Sequence, residues 1–123
     1  MPKRVLVVDD SELIRRQIRG TLELDEDIEI CAEAENGIEA VRKARQCRPD
    51  LVLMDVYMPL MNGLEATQVI KTLMPHLPVL VFTLHDSQQI RIESEKVGAS
   101  GVLLKSEGGI RLPQAIRALV HKD

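Results

Sequence analysis

The chain has 123 residues, 45% of them hydrophobic and 28% charged, a composition typical of one globular domain and not of a disordered chain. The net charge of −3 and the 2% aromatic content argue against direct nucleic-acid binding, which favours clustered basic residues and stacking rings. Apolar runs are too short for a membrane crossing and the N-terminus lacks a secretory pattern, so we expect a cytoplasmic protein, with no membrane partner, in which Cys31 and Cys47 are reduced.

Short apolar runs alternate along the chain with segments in which apolar residues recur every three or four positions. The short runs predict buried strands, and the periodic segments predict amphipathic helices. Acidic residues interrupt the second run, as an edge strand tolerates. In chain order we predict strand 5–8, a helix from Ser11, strand 28–34, helix 38–47, strand 51–55, helix 64–73, strand 79–82, helix 86–97, strand 102–104 and helix 110–121.

The first helix divides into an apolar and a basic face. The residues expected to be buried are spaced four apart: Ile14, Ile18 and Leu22. Leu13 lies beside this stripe and is expected to be partly exposed. The basic residues are expected to point into solvent: Arg15, Arg16 and Arg19.

Five strand–helix repeats predict an α/β fold with a doubly wound, five-stranded parallel sheet. Strands that are apolar throughout are covered by helices on both faces, and the helical crossovers between parallel strands are right-handed. Neither a linker nor an internal repeat interrupts the pattern. We therefore expect residues 1–123 to form a single domain, with no output domain in this chain.

Polar residues end four of the predicted strands. Because the carboxyl ends of parallel strands share one edge of the sheet, their side chains are expected to converge: Asp9, Asp10, Asp55, Thr83 and Lys105. Three bare carboxylates repel one another, which raises a pKa unless a cation is bound. Carboxylate oxygens suit Mg²⁺, which retains several waters and binds phosphoryl groups.

Each of these residues alone has an ordinary structural explanation. The tandem acids could simply cap the first helix, Asp55 could be a turn acid, and Thr83 and Lys105 could be unremarkable strand-end residues. Their placement together at four strand ends favours a functional site. The three histidines, His76, His85 and His121, share no spacing typical of a metal site.

Four segments resemble the receiver domain of bacterial two-component response regulators: VLVVDDS (5–11), DVYMPLMNG (55–63), VLVFT (79–83) and GASGVLLK (98–105). The last is most similar to the branch that often carries a helix-turn-helix DNA-binding output domain. The resemblance covers the whole chain. It implies a flavodoxin-like (βα)5 receiver fold with strand order 2-1-3-4-5.

The resemblance also implies a role for each residue of the site. Asp55 is expected to accept a phosphoryl group from a histidine kinase or a histidine phosphotransfer protein, which docks on the first helix beside Leu13. The expected protein ligands of Mg²⁺ are Asp9, Asp10, Asp55 and the backbone carbonyl of Tyr57. Thr83 and Lys105 are expected to bind phosphoryl oxygens.

Phosphorylation is expected to switch the face formed by the fourth helix, fifth strand and fifth helix. The switch regulates a partner, a phosphorylation-dependent homodimer or an output domain, and hence transcription if the chain is part of a longer regulator. The chain is expected to be a signalling switch and not an enzyme, apart from its own phosphorylation and slow autodephosphorylation.

Three positions depart from the pattern of this family. Val102 replaces the ring that many members use to report the switch, which puts coupling to that face in doubt. Leu84 is bulkier than the usual residue after the threonine, and is expected to narrow access to the phosphate or crowd the threonine. Ser106 replaces the usual proline, so no cis peptide is expected after Lys105.

Two other classes of function are alternatives to the switch. A phosphohydrolase of the haloacid dehalogenase-like kind also uses a strand-end aspartate and Mg²⁺, but it needs a second acid two residues later, where this chain has Tyr57. A binding module that no longer uses phosphate is disfavoured by the complete set of acids, threonine and lysine, although Val102 leaves room for altered output.

Overall fold

A computed structural model describes residues 1–121 as alternating strands and helices. The strands are β1 (Lys3–Val8), β2 (Ile28–Ala34), β3 (Leu51–Met54), β4 (Val79–Thr83) and β5 (Gly101–Leu104). The helices are α1 (Glu12–Leu22), α2 (Gly37–Cys47), α3 (Gly63–Leu73), α4 (Gln88–Lys96) and α5 (Gly108–Val120). None of the helices within this range has the length and hydrophobicity that a membrane crossing needs.

The five strands form one parallel sheet in the order β2-β1-β3-β4-β5. This confirms the predicted fold class, strand order and edge position of β2. In the register of the sheet, Met54 lies beside Val8 on one side and Val81 on the other. The residues that follow β1, β3 and β4 therefore emerge side by side at the carboxyl edge.

Alternate residues of each central strand pack against opposite layers of helices. Val5 and Val7 of β1 join the cluster that contains α1 and α5, whereas Leu6 and Val8 join the cluster with α2 and α3. All four side chains are buried, as the unbroken apolar runs predicted. The helix α4 packs on a third, smaller cluster through Ile90.

Side-chain caps fix where four of the helices begin, and therefore how the loops at the carboxyl edge run. Ser11, Asn36, Asn62 and Ser87 each accept a hydrogen bond from a backbone N–H in the first turn of their helix. Asn62 and Glu65 complete a reciprocal capping box at α3. The loop after β3 is thus held where it enters α3.

Several local predictions were wrong. A single 3₁₀ turn (Lys105–Glu107) follows β5, and α5 begins two residues earlier than predicted, at Gly108. Arg15 does not point into solvent: its side chain is only 12% exposed and pairs with Glu33 on β2. Periodicity within one helix could not show this partner on another element. The hydroxyl of Ser94 on α4 is buried without a hydrogen-bond partner among residues 1–121.

Candidate functional site

Two of the acids are fixed by the sheet itself. Asp9 and Asp55 directly follow the adjacent strands β1 and β3, and their backbone N–H groups extend the ladder, donating to Ala34 O at 3.0 Å and Val8 O at 2.9 Å. Both side chains are buried at the carboxyl edge of the sheet: Asp9 is 2% exposed and Asp55 is 7% exposed. The backbone therefore aims both carboxylates into one small space.

Asp10 completes a group of three carboxylates. Each of Asp9, Asp10 and Asp55 contributes one carboxylate oxygen to a set in which all atoms lie within 4.8 Å of one another. Asp10 is exposed whereas the other two are buried, so the group opens to solvent on one side. A cluster of hard oxygen ligands with an open side fits Mg²⁺, which binds few protein oxygens and keeps its waters.

Lys105 reaches these acids from the far edge of the sheet. It follows β5, which β4 separates from β3, and its Nζ lies 2.6 Å from Asp9 Oδ2 and 3.2 Å from Asp55 Oδ1. The side chain is only 8% exposed, so its aliphatic stem is covered along its length. A lysine is long enough to bring one positive charge to two buried carboxylates from two strands away.

The carboxyl group of Asp55 has an altered proton affinity. Burial, followed by repulsion from Asp9, raises the pKa of Asp55 to about 6, and the nearby Lys105 only partly opposes this. Desolvation and like charge both disfavour the ionised form. Asp55 is therefore ionised at neutral pH, but at a free-energy cost that a bound cation would relieve.

This pKa predicts a pH-dependent difference in stability between the metal-free protein and Asp55→Asn. The raised pKa means that the folded state binds the proton more tightly than the unfolded state, so this group destabilises the fold as pH rises from about 4 to 7. Removing the charge should stabilise the protein at pH 7.5 by about 2 kcal/mol, and the gain should disappear near pH 4. Urea denaturation in EDTA at both pH values measures this, and a variant less stable at pH 7.5 would contradict it.

Thr83 lies at the end of β4, beside the acids but not bonded to them. It is fully buried, and its hydroxyl oxygen accepts a hydrogen bond from the backbone N–H of His85 at 3.2 Å. The phenol ring of Tyr57 meets the His85 ring edge to face, with centroids 5.2 Å apart. This contact joins the loops after β3 and β4, and the scattered spacing of the histidines gave no signal of it.

The three departures from the family pattern lie around this edge. Leu84 is 69% exposed, so its side chain lies mainly in solvent. Val102 is half-buried and packs on the cluster of Val56, Val81 and Ile90. Ser106 is exposed in the 3₁₀ turn, and the peptide bonds among residues 1–121 are all trans.

The loop after β3 is folded tightly behind Asp55. Gly63 donates its N–H to Val56 O at 2.8 Å, and a Cβ at this position would lie 1.7 Å from Asp55 O. Gly37, at the start of α2, donates to Met61 O at 2.9 Å, and a Cβ there would lie 2.5 Å from the same oxygen. Only glycine allows these approaches.

Comparison with known proteins gives the family. The family model of the response regulator receiver domain matches residues 5–117. The chain belongs to this family. As a receiver domain it is part of two-component signalling, and the family is one of signalling switches.

Relatives with several architectures share this domain. The chain is 42% identical to chemotaxis protein CheY of Halobacterium salinarum, over 85% of the chain and 86% of that protein. It is 41% identical to transcriptional regulatory protein YdfI of Bacillus subtilis, over 96% of the chain but 55% of that protein. The chain spans about half the length of this and other transcriptional regulators that it matches, such as LnrK, at 51%.

Solved structures agree with the fold. A two-component response regulator of the LuxR family from Aurantimonas sp. SI85-9A1 superposes with a TM-score of 0.93 at 33% identity, over 98% of this chain and 86% of that one. The response regulator domain of Thermotoga maritima CheB also gives 0.93, at 30% identity, over 100% and 99%. The resemblance to the branch with DNA-binding output domains is thus confirmed.

Proposed function

We propose that this receiver domain accepts a phosphoryl group on Asp55 in a Mg²⁺-dependent reaction. One observation carries the proposal: the buried Asp55 lies with two further carboxylates within 4.8 Å and with the Lys105 amine 3.2 Å away. The phosphodonor is a histidine kinase or a histidine phosphotransfer protein. Docking on α1 is supported by Leu13, which is exposed beside the acidic edge.

The chemistry requires only an ionised nucleophile and groups that stabilise charge. The Asp55 carboxylate attacks phosphorus, an O–P bond forms, and the bond from phosphorus to the donor's imidazole nitrogen breaks, with that nitrogen keeping the electron pair. No general base is needed, because a carboxyl group with a pKa of about 6 is mainly ionised at neutral pH. Lys105 provides a positive charge beside the developing phosphoryl oxygens.

A metal at this site would be held by Asp9, Asp10 and Asp55 and by the backbone carbonyl of Tyr57. Bound Mg²⁺ supplies charge neutralisation to the phosphoryl oxygens and relieves the repulsion among the acids. Lys105, whose Nζ lies 2.6 Å from Asp9 Oδ2, would then be able to turn from that oxygen toward the new anion.

Thr83 is suited to report phosphorylation to the rest of the domain. Its hydroxyl oxygen accepts from the N–H of His85, which leaves its own proton for a phosphoryl oxygen. Drawing Thr83 toward Asp55 would carry the loop before α4 with it, and this shifts the populations of the α4–β5–α5 face. The response on this face regulates a partner, a second copy or an output domain.

The relatives support a proposal for the biological output. LnrK and YdfI are named transcriptional regulatory proteins, so control of transcription is the output we propose where the domain forms part of a longer regulator. Residues 1–123 act as one module that carries the phosphorylation site, makes no direct contact with nucleic acid or membrane, and works in the cytoplasm.

Labelling of the wild-type chain tests this function. With acetyl phosphate and Mg²⁺, intact-protein mass spectrometry should show one added phosphoryl group, which hydroxylamine removes because it is an acyl phosphate. EDTA should prevent the addition. Absence of the adduct would contradict the proposal, and sustained release of phosphate from phosphomonoesters over many turnovers would favour a phosphohydrolase instead.

A further inference from the structure

We propose that Arg15 is a positioning residue that holds the Asp9–Asp10 segment in the geometry that binds the metal. The inference rests on the proposed function, because it concerns the same site. Arg15 touches none of the three carboxylates in that site. It acts on the backbone that carries two of them.

The guanidinium of Arg15 uses each of its three nitrogens on a different element. Nη1 donates to the backbone carbonyl of Asp9 at 2.5 Å, Nε donates to Glu33 Oε1 on β2 at 3.0 Å, and Nη2 donates to Glu12 Oε2 on α1 at 2.5 Å. The side chain is almost covered. These bonds tie the end of β1 to its neighbouring strand and to the following helix.

This arrangement differs from an ordinary surface ion pair. An exposed pair contributes little because it must order two long side chains in water, whereas a planar guanidinium that is shielded from water holds several oxygens in fixed directions. The Asp9–Asp10 peptide is also constrained through the Asp9 side chain, because Asp9 Oδ1 accepts from Ser11 N at 3.0 Å. Rotation of this peptide would move both acids, since Asp10 is the next residue.

The charge of Arg15 does not explain its position. A cation near a metal site opposes metal binding, but here Glu12 and Glu33 balance two positive charges, those of Arg15 and Arg19. Arg19 also contacts both glutamates. The four side chains carry no net charge. What Arg15 alone adds is the bond to the Asp9 carbonyl.

Arg19 provides a matched control for this bond. Arg15→Met and Arg19→Met remove the same charge from the same ion-pair network, but only the first removes the contact with Asp9. The loss of supporting partners around a metal site lowers affinity about 10–100-fold. We therefore expect Arg15→Met to bind Mg²⁺ at least about tenfold more weakly than Arg19→Met, as measured by isothermal titration calorimetry.

Two further measurements separate positioning from a general loss of structure. Arg15→Met should recover its acetyl phosphate labelling rate when Mg²⁺ is raised to saturation, and Arg15→Lys should regain part of the Mg²⁺ affinity because an amine can still reach one oxygen. In EDTA, the amide NMR signals of Asp10 and Ser11 should shift in Arg15→Met and stay in place in Arg19→Met. If Arg15→Met does not fold, the same Mg²⁺ affinity and NMR measurements are made on Arg15→Lys.

Equal Mg²⁺ affinity in the two methionine variants would overturn the role of Arg15 and leave the proposed function intact. Failure of the wild-type chain to bind Mg²⁺ would instead overturn the proposed function, and the metal-binding role of Arg15 with it. Unmoved amide signals in metal-free Arg15→Met would show that Arg15 does not position the Asp9–Asp10 segment at all.

Discussion

Asp55→Asn is expected to abolish Mg²⁺-dependent labelling by acetyl phosphate. An amide oxygen is neutral and a poor nucleophile, whereas the wild-type carboxylate is ionised at neutral pH and lies beside Lys105. The substitution keeps the shape of the side chain and removes a charge that the metal-free fold tolerates poorly, so the variant should fold at least as well as the wild type. Intact-protein mass spectrometry should detect no added phosphoryl group.

Asp86→Asn is the matched control for this experiment. Asp86 lies in the loop after β4 and is exposed, with Arg91 as its only ion-pair partner within residues 1–121. The Asp86→Asn variant should be labelled at the wild-type rate. Labelling that persists in Asp55→Asn and is sensitive to hydroxylamine would assign the acceptor to a different carboxylate and remove the role proposed for Asp55.

Gly63→Ala is expected to destabilise the protein by about 3 kcal/mol or more, a large effect for the addition of one methyl group. The added carbon would lie 1.7 Å from the backbone oxygen of Asp55, and a backbone atom cannot move aside as a flexible side chain does. The loop must shift, which breaks the bond from Gly63 N to Val56 O. Urea denaturation of the metal-free protein measures the change.

Gly20→Ala controls for the general effect of replacing a glycine. Gly20 lies within α1, and apart from its chain neighbours and its own helix backbone no atom of residues 1–121 lies within 4 Å of an added Cβ, so alanine should stabilise the helix by about 0.5–1 kcal/mol. If Gly63→Ala were as stable as the wild type, the close packing behind Asp55 could not be what fixes the loop. A folded Gly63→Ala with weakened Mg²⁺ binding would instead show that the loop sets the site's geometry.

The strands, and the edge of the sheet at which the polar residues meet, could be predicted from the sequence alone. Unbroken apolar runs imply cover on both faces, and parallel strands place Asp9 and Asp55 at one edge. The strand order came from resemblance, because periodicity does not say which strands are neighbours. The relation of Lys105 to the two acids depends on that order.

The errors lie where one element meets another. The division of the first helix into an apolar and a basic face predicts that Arg15 points into solvent, but its guanidinium pairs with Glu33 on a different element. The contact between Tyr57 and His85 joins two loops, and helical periodicity gave no sign that the Ser94 hydroxyl would be buried with no hydrogen-bond partner within residues 1–121. Such contacts depend on tertiary distances that local patterns do not contain.

In the metal-free protein, the amine of Lys105 is the counter-ion of Asp9 and Asp55. Its amine lies 2.6 Å from one oxygen of Asp9, so a divalent cation held by these acids would compete with the amine for that oxygen. Lys105 begins the 3₁₀ turn that joins the edge strand β5 to α5. A change of partner for this amine would therefore act at the junction between the edge strand and the last helix.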